Sequence, residues 1–179
     1  MSDGDSWTDI SAPYVRPRPG RSDAWAEEAA RRGHAGAQQL REVVEVRPAA
    51  EVADALGIPS GGTVIVRRRL VLLDELPVEL ADSYYPAVIA RGTPLAEARK
   101  IRGGAVTLLS EMGYESHRIQ EDVHARPATE EERQILQLGP NEWVLVLARL
   151  SMTRDGTPFE YSTMTMVARG RHLRYELSI

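Results

Sequence analysis

The sequence predicts an α+β domain built on an internally duplicated, mainly antiparallel sheet with helices packed on one side. Three observations carry that prediction. The stretch from Val64 to Tyr85, VIVRRRLVLLDELPVELADSYY, reads as a β-hairpin: an apolar run interrupted by arginines, a polar turn with a proline, and an alternating return strand ending on two tyrosines. The pattern then recurs. Arg47-Pro48-Ala49 returns as Arg126-Pro127-Ala128, Leu56 as Leu136, and Val64-Ile65-Val66 as Val144-Leu145-Val146. Arg69-Leu70 returns as Arg149-Leu150, and Pro77-Val78-Glu79 as Pro158-Phe159-Glu160. The offset grows along the chain from 79 to 80 to 81, so two single-residue insertions separate the copies. Third, each copy reads strand, helix, strand, turn, strand. Such a unit is too small to bury a core alone, so the two are expected to share one sheet with approximate twofold symmetry.

At 179 residues the chain has room for one well-buried domain plus an arm. Its 42% hydrophobic and 27% charged residues are those of an ordinary soluble protein. There is no apolar run near the length that spans a bilayer, and the opening MSDGDSWTD lacks a signal peptide's apolar core, so a cytoplasmic location and no membrane partner are expected. The absence of cysteine excludes disulfides and thiol catalysis. The four histidines show no ligand-like spacing, and neither metal nor cofactor is expected. A net charge of −4 argues against nucleic-acid binding by this chain itself.

Residues 1 to about 22, with Pro13, Pro17, Pro19 and Gly20 among polar groups, are expected to be an arm; Trp7, Ile10 and Tyr14 are its candidate docking points on the body or on a second subunit. A capped helix follows from Asp23 to Arg32, where Arg31 and Arg32 are read as an electrostatic cap of its carboxyl end rather than as DNA contacts. Gln38 to Val46 alternates as a strand, and Pro48 opens a helix ended by Gly57 and Pro59. After the hairpin come a brief helical turn at Ala87 to Ala90, the irregular basic stretch RGTPLAEARKIRGG, and a short helix ending at Gly113. Ser116 to Ala125 is strand-like. The strand Phe159 to Val167 sets Glu160, Ser162, Met164 and Met166 on one face, the methionines being read as core filler rather than cavity lining. A last short strand beyond Tyr175 is expected to complete the sheet.

The hairpin's period of two places Arg67 and Arg69 on one face with Ile65, Val71 and Leu73, and aligns Glu79, Ala81, Ser83 and Tyr85 on one face of the return strand. Two guanidinium groups beside a glutamate suit a small anion that also carries hydroxyls. A solvated Arg–Glu cross-strand pair is the plainer reading of the same residues. The duplication sharpens the choice: Arg69 is matched by Arg149 and Glu79 by Glu160, whereas Arg67 is matched by Leu147 and distinguishes one half. Arg68, on the opposite face, is read as snorkelling or as an interface residue.

The order of LPVELADSYYP, the glycine-punctuated basic loop with its helix ending in MGY, RPATEEERQIL, and TPFEYSTMTMVARGRHLRYEL resembles the UTRA effector-sensing domain of HutC-type GntR-family transcriptional regulators. The resemblance covers about residues 40 to 179, with 1–38 as arm or linker and 39–179 as the effector-binding domain. It implies the chorismate-lyase fold, a duplicated antiparallel sheet, in agreement with the repeat. In relatives that sense phosphosugars, it implies an acidic group held at the positions of Arg67 and Arg69 and hydroxyls or amines held at those of Glu79 and Glu160. Tyr85 and Arg149 join this candidate ligand-binding set. Thr107 is the nearest hydroxyl to a position, near Gly104 or Ala105, where the family carries a serine, and the terminal turn reads Arg169-Gly170-Arg171 in place of an acidic form. No catalytic residue is assigned.

The resemblance implies a homodimeric, non-enzymatic sensor of a small polar or anionic effector, touching DNA only through an absent or separate winged-helix domain; residues 1 to 40 supply no such reader. Two alternatives stand beside it: a chorismate-lyase-like enzyme acting on an aromatic carboxylate, and a ligand-free dimerisation module.

Overall fold

The structure, a computed structural model, describes residues 7–9, 12–17 and 24–176. In chain order its elements are β1 (Trp7–Asp9), α1 (Ala12–Val15), α2 (Ala24–Arg31), β2 (Gly36–Val46), α3 (Ala50–Leu56), β3 (Val64–Leu73), β4 (Leu76–Pro86) and α4 (Ala87–Ala90). A 3₁₀ turn at Pro94–Ala96 leads to α5 (Gly104–Glu111), β5 (Arg118–Pro127), α6 (Glu130–Leu136), β6 (Trp143–Met152), β7 (Pro158–Val167) and β8 (Arg171–Leu173).

Six strands form one antiparallel sheet in the order β2-β3-β4-β7-β6-β5. Each repeat unit supplies three neighbouring strands, and the units meet where β4 pairs with β7. There Asp82 lies opposite Thr163, a residue 81 positions later, which is the offset of the return strands. A residue paired with its own image marks the symmetry axis, so the internal twofold passes between these two. The ladder irregularities are duplicated too: a register shift falls between Val71 and Leu72 in one hairpin and between Ser151 and Met152 in the other.

The two repeat helices share one face, as the repeat suggested. On it, Val52 and Leu56 of α3 pack with Val64, Ala148 and Tyr161, and Leu136 of α6 packs with Ala128, Val144 and Val146. α6 begins with a capping box between Thr129 and Glu132. Arg68 lies on this side and pairs with Glu42 and Asp82. The remaining helices cover the opposite face, a layer the expectation of helices on one side did not contain. Trp25 and Ala29 of α2 join Val71 and Ala81, while Ile101 and Leu109 join Ile65, Tyr85 and Phe159.

Trp7 is buried, its ring 4.9 Å from that of Trp25, and the Arg32 guanidinium lies 4.0 Å over it. Arg32 also donates to the Thr8 carbonyl at 2.6 Å, so this arginine clasps the arm onto the body. Ile10, the other apolar docking candidate, lies outside the described residues, and so does the strand expected after Tyr175, at 177–179. β8 does not extend the main sheet. It pairs in parallel with β1 in a separate two-stranded sheet, so among the described residues the large sheet ends on β2 and β5.

Gly36 starts β2 under α2, where an added Cβ would sit 2.8 Å from the Ala29 Cβ and 2.9 Å from both Nε1 and the carbonyl oxygen of Trp25. The Trp25 indole is itself fixed by donating to the Leu72 carbonyl at 2.8 Å. Gly36→Ala is therefore expected to lift α2 and cost about 2 kcal/mol in urea denaturation, with Gly33→Asn, at an unobstructed turn, as a near-neutral control.

Candidate functional site

The face covered by α2 and α5 is not filled. Between sheet and helices lies a cavity of about 730 Å³, within the usual size of small-molecule sites. Its floor is one pleat face of the sheet, as the period of two requires: Arg67, Arg69 and Val71 of β3, Glu79, Ala81, Ser83 and Tyr85 of β4, and Glu160, Ser162, Met164 and Met166 of β7, with Leu147 and Arg149 of β6. All seven residues singled out from the sequence line it, including Thr107 in the first turns of α5. Tyr14, Arg16 and the start of α2 close one side, and Lys100 to Gly104 close another.

A hydrogen-bond chain crosses the floor. Arg69 donates to Gln38 at 3.2 Å and to the Ser83 hydroxyl at 2.8 Å, Ser83 and Ser162 share a bond at 2.9 Å, and Ser162 reaches Glu160 at 3.4 Å. The chain thus runs from a cation to an anion with its dipoles aligned. Tyr85, buried beneath it, donates to the same Glu160 oxygen at 2.8 Å. Burial first, and the Glu160 charge second, push the Tyr85 phenol well above its ordinary pKa. The Arg69 Nε is buried without a partner among the described residues.

Arg67 has a distinct role. It is 5% exposed, and its guanidinium donates to the carbonyls of Leu95 at 2.9 Å, Glu97 at 2.8 Å, Arg99 at 2.8 Å and, more weakly, Pro94 at 3.3 Å. Burial pulls its pKa below the usual arginine range. Within this loop the Glu97 and Arg99 N–H groups already bond the Pro94 and Glu97 carbonyls, and Arg67 adds a donor for those of Leu95 and Arg99. One Nη2 hydrogen and the Nε–H remain for the cavity.

Arg149, equivalent to Arg69 in the repeat, donates through Nε to Glu121 at 2.6 Å. Its two Nη groups have no hydrogen-bond partner among the described residues. Glu79 lies 3.7 Å from the Arg171 guanidinium, which is itself buried. Six lining residues are basic (Arg16, Arg67, Arg69, Lys100, Arg102, Arg149) and two are acidic (Glu79, Glu160). α5 opens on Gly103 and Gly104, both at positive φ and both lining the cavity, with no side-chain cap; the Gly104 N–H donates to the Ile101 carbonyl at 3.1 Å.

Sequence reasoning passed over Ser83 and Ser162, although both sit on the faces it drew for Glu79 and Glu160. It also read Met164 and Met166 as core filler, whereas both line the cavity; alternation reports which face a residue takes but not whether that face is packed. Among the described residues no cluster of three or more His, Asp or Glu is arranged to hold a metal.

A duplicated sheet with a roofed, mainly basic cavity has the size and lining of a small-molecule site. The sequence matches the UTRA domain family over residues 31–169. An uncharacterized HTH-type transcriptional regulator of Streptomyces coelicolor is 38% identical over 128 residues, covering 70% of this chain and 48% of that protein. Another, from Rhizobium meliloti, is 30% identical over 147 residues, covering 78% and 59%. The chain thus spans about half the length of the curated relatives it matches. Among solved structures, the effector domain of PhnF from Mycobacterium smegmatis superposes with a TM-score of 0.74 at 18% identity, covering 92% of this chain and 99% of that one; at that identity the likeness is one of fold. The chain belongs to the UTRA domain family and is an effector-sensing domain of the transcriptional-regulator type.

Because Arg67 bonds the carbonyls of the 94–99 loop, Arg67→Met is expected to cost about 3 kcal/mol and to speed amide hydrogen exchange across 94–99 while exchange in β6 and β7 stays slow. Arg67→Lys, with a single ammonium, is expected to restore little of it.

Proposed function

We propose that the cavity binds a small polar or anionic metabolite and that binding alters DNA binding by an attached or partner winged-helix domain. The observation that carries this reading is the imbalance of the lining: six basic residues against two acidic ones, with the Nη groups of Arg149 unengaged and the uncapped start of α5 at the wall. Arg69, Arg149 and the remaining N–H edge of Arg67 are the proposed anion contacts. Glu79, Glu160, Tyr85 and Thr107 are proposed to set polar selectivity, and residues 1–38 to serve as the arm of the effector-binding domain 39–179. The protein is proposed to act in the cytoplasm as a homodimer.

The reading is non-enzymatic. Elimination chemistry needs a group poised to move a proton; the Tyr85 phenol is held protonated by burial and by Glu160, and among the described residues no histidine lines the wall. Incubation with chorismate is accordingly expected to release no pyruvate above the protein-free rate; enzyme-dependent pyruvate would reverse the assignment.

Native mass spectrometry of protein purified from its own host is expected to show a dimer with a retained small molecule. Removing both members of the Arg149–Glu121 pair, as Arg149→Gln with Glu121→Gln, avoids leaving a lone buried charge. This double variant is expected to lose the retained mass. It is also expected to lose the ligand-induced rise in melting temperature, which for the parent corresponds to about 2.7 kcal/mol at a hundredfold excess over Kd. Retention unchanged by the double variant would remove Arg149 from the site.

A further inference from the structure

The two central rows of the cavity floor are images of one another under the internal twofold, and their chemistry differs. The first row crosses the sheet as Arg67, Ser83, Ser162 and Arg149, and ends on Glu121 of β5. Shifted by the repeat offsets, it becomes Leu147, Met164, Ala81 and Arg69, which is the neighbouring row of the same floor. The rows lie two residues apart on every strand, about 7 Å. One is polar at each position. The other is apolar on β4, β7 and β6, and its arginine turns away from it to bond Ser83.

The roof is divided in the same way. α5 is anchored on Tyr85, Ile65 and Phe159, at the side of the polar row, and brings Gly103 and Gly104 to it. α2 is anchored on Val71 and Ala81, and there Trp25, with Tyr14 and Met164 packed alongside, faces the apolar row. The acid on that side, Glu79, is held next to the buried Arg171 guanidinium, so the apolar end presents no bare carboxylate.

Taking the cavity to be an effector site, we infer that its effector is an amphipathic organic anion. Its acidic head lies on the Arg67–Ser83–Ser162–Arg149 row beneath the start of α5, and its hydrocarbon body lies over Ala81, Met164 and Leu147 beneath Trp25. A sugar phosphate fits this floor poorly, because hydroxyls placed over methionine and leucine would lose their water without gaining partners.

Isothermal titration of the full chain with butyrate, hexanoate, octanoate and decanoate, and separately with glucose 6-phosphate, tests the inference. Affinity is expected to rise about fourfold per added methylene until the apolar row is covered, and glucose 6-phosphate is expected to bind more weakly than octanoate. Met164→Gln is expected to flatten the dependence on chain length, reducing the octanoate-to-butyrate affinity ratio, and Ala81→Ser, a smaller change, serves the same purpose should the first variant not fold. Binding of glucose 6-phosphate with no chain-length dependence among the acids would overturn the amphipathic reading and leave the anion-sensing role standing. Failure of every probe to bind would overturn both.

Discussion

The pairing of β4 with β7 is the constraint on which the rest of the molecule depends. Each repeat unit alone is a three-stranded sheet with one short helix, which cannot bury enough apolar surface to offset the entropy of ordering its chain. Joining the units at Asp82 and Thr163 gives a six-stranded sheet whose two faces are wide enough to be covered. It also sets the symmetry. Because one residue pairs with its own image, every other equivalence follows: the duplicated bulges, the matching arginines on β3 and β6, and the two floor rows related by rotation.

The symmetry explains how the molecule divides its labour. On the face under α3 and α6, equivalent residues do equivalent work, with apolar side chains from both units forming two matching clusters. On the other face the covering helices come from segments outside the duplication. α2 precedes the first unit and α5 lies between the two, so neither has a twin. The face they cover is where the two copies have diverged, with Ser83 equivalent to Met164, Ala81 to Ser162, and Arg67 to Leu147. A binding site needs asymmetry to orient a ligand, and the fold provides it by roofing a symmetric floor with two unrelated helices.

Much of this was legible in the sequence because it rests on local rules. The period of two placed Arg67, Arg69, Glu79 and Tyr85 on one surface, the recurrence of Arg-Pro-Ala and Pro-x-Glu gave the duplicated sheet, and glycine and proline marked the ends of α3 and α5. What was not legible depends on contacts between distant segments. The cover of α2 over β2 relies on Gly36 fitting beneath Trp25, and periodicity does not report on such a fit. Met164 and Met166 read equally well as packed or as cavity-lining until the roof is placed. Arg32 reads as a helix cap in the sequence, and its stacking on Trp7 appears only once the arm is docked. The separate β1–β8 sheet joins the two ends of the described chain, so no local pattern signals it.

The attachment of Arg67 to four carbonyls has a thermodynamic consequence. The same guanidinium forms part of the cavity floor and holds the loop from Pro94 to Arg99 in place. A charge brought to its free N–H edge and the ordering of that loop therefore act on one group, and by linkage each changes the free energy of the other by the same amount. The equivalent position in the second unit is Leu147, which has no donor to offer. An anion placed at that edge would therefore act on backbone order through this side chain, on one side of the molecule only, in the stretch that leads directly into α5.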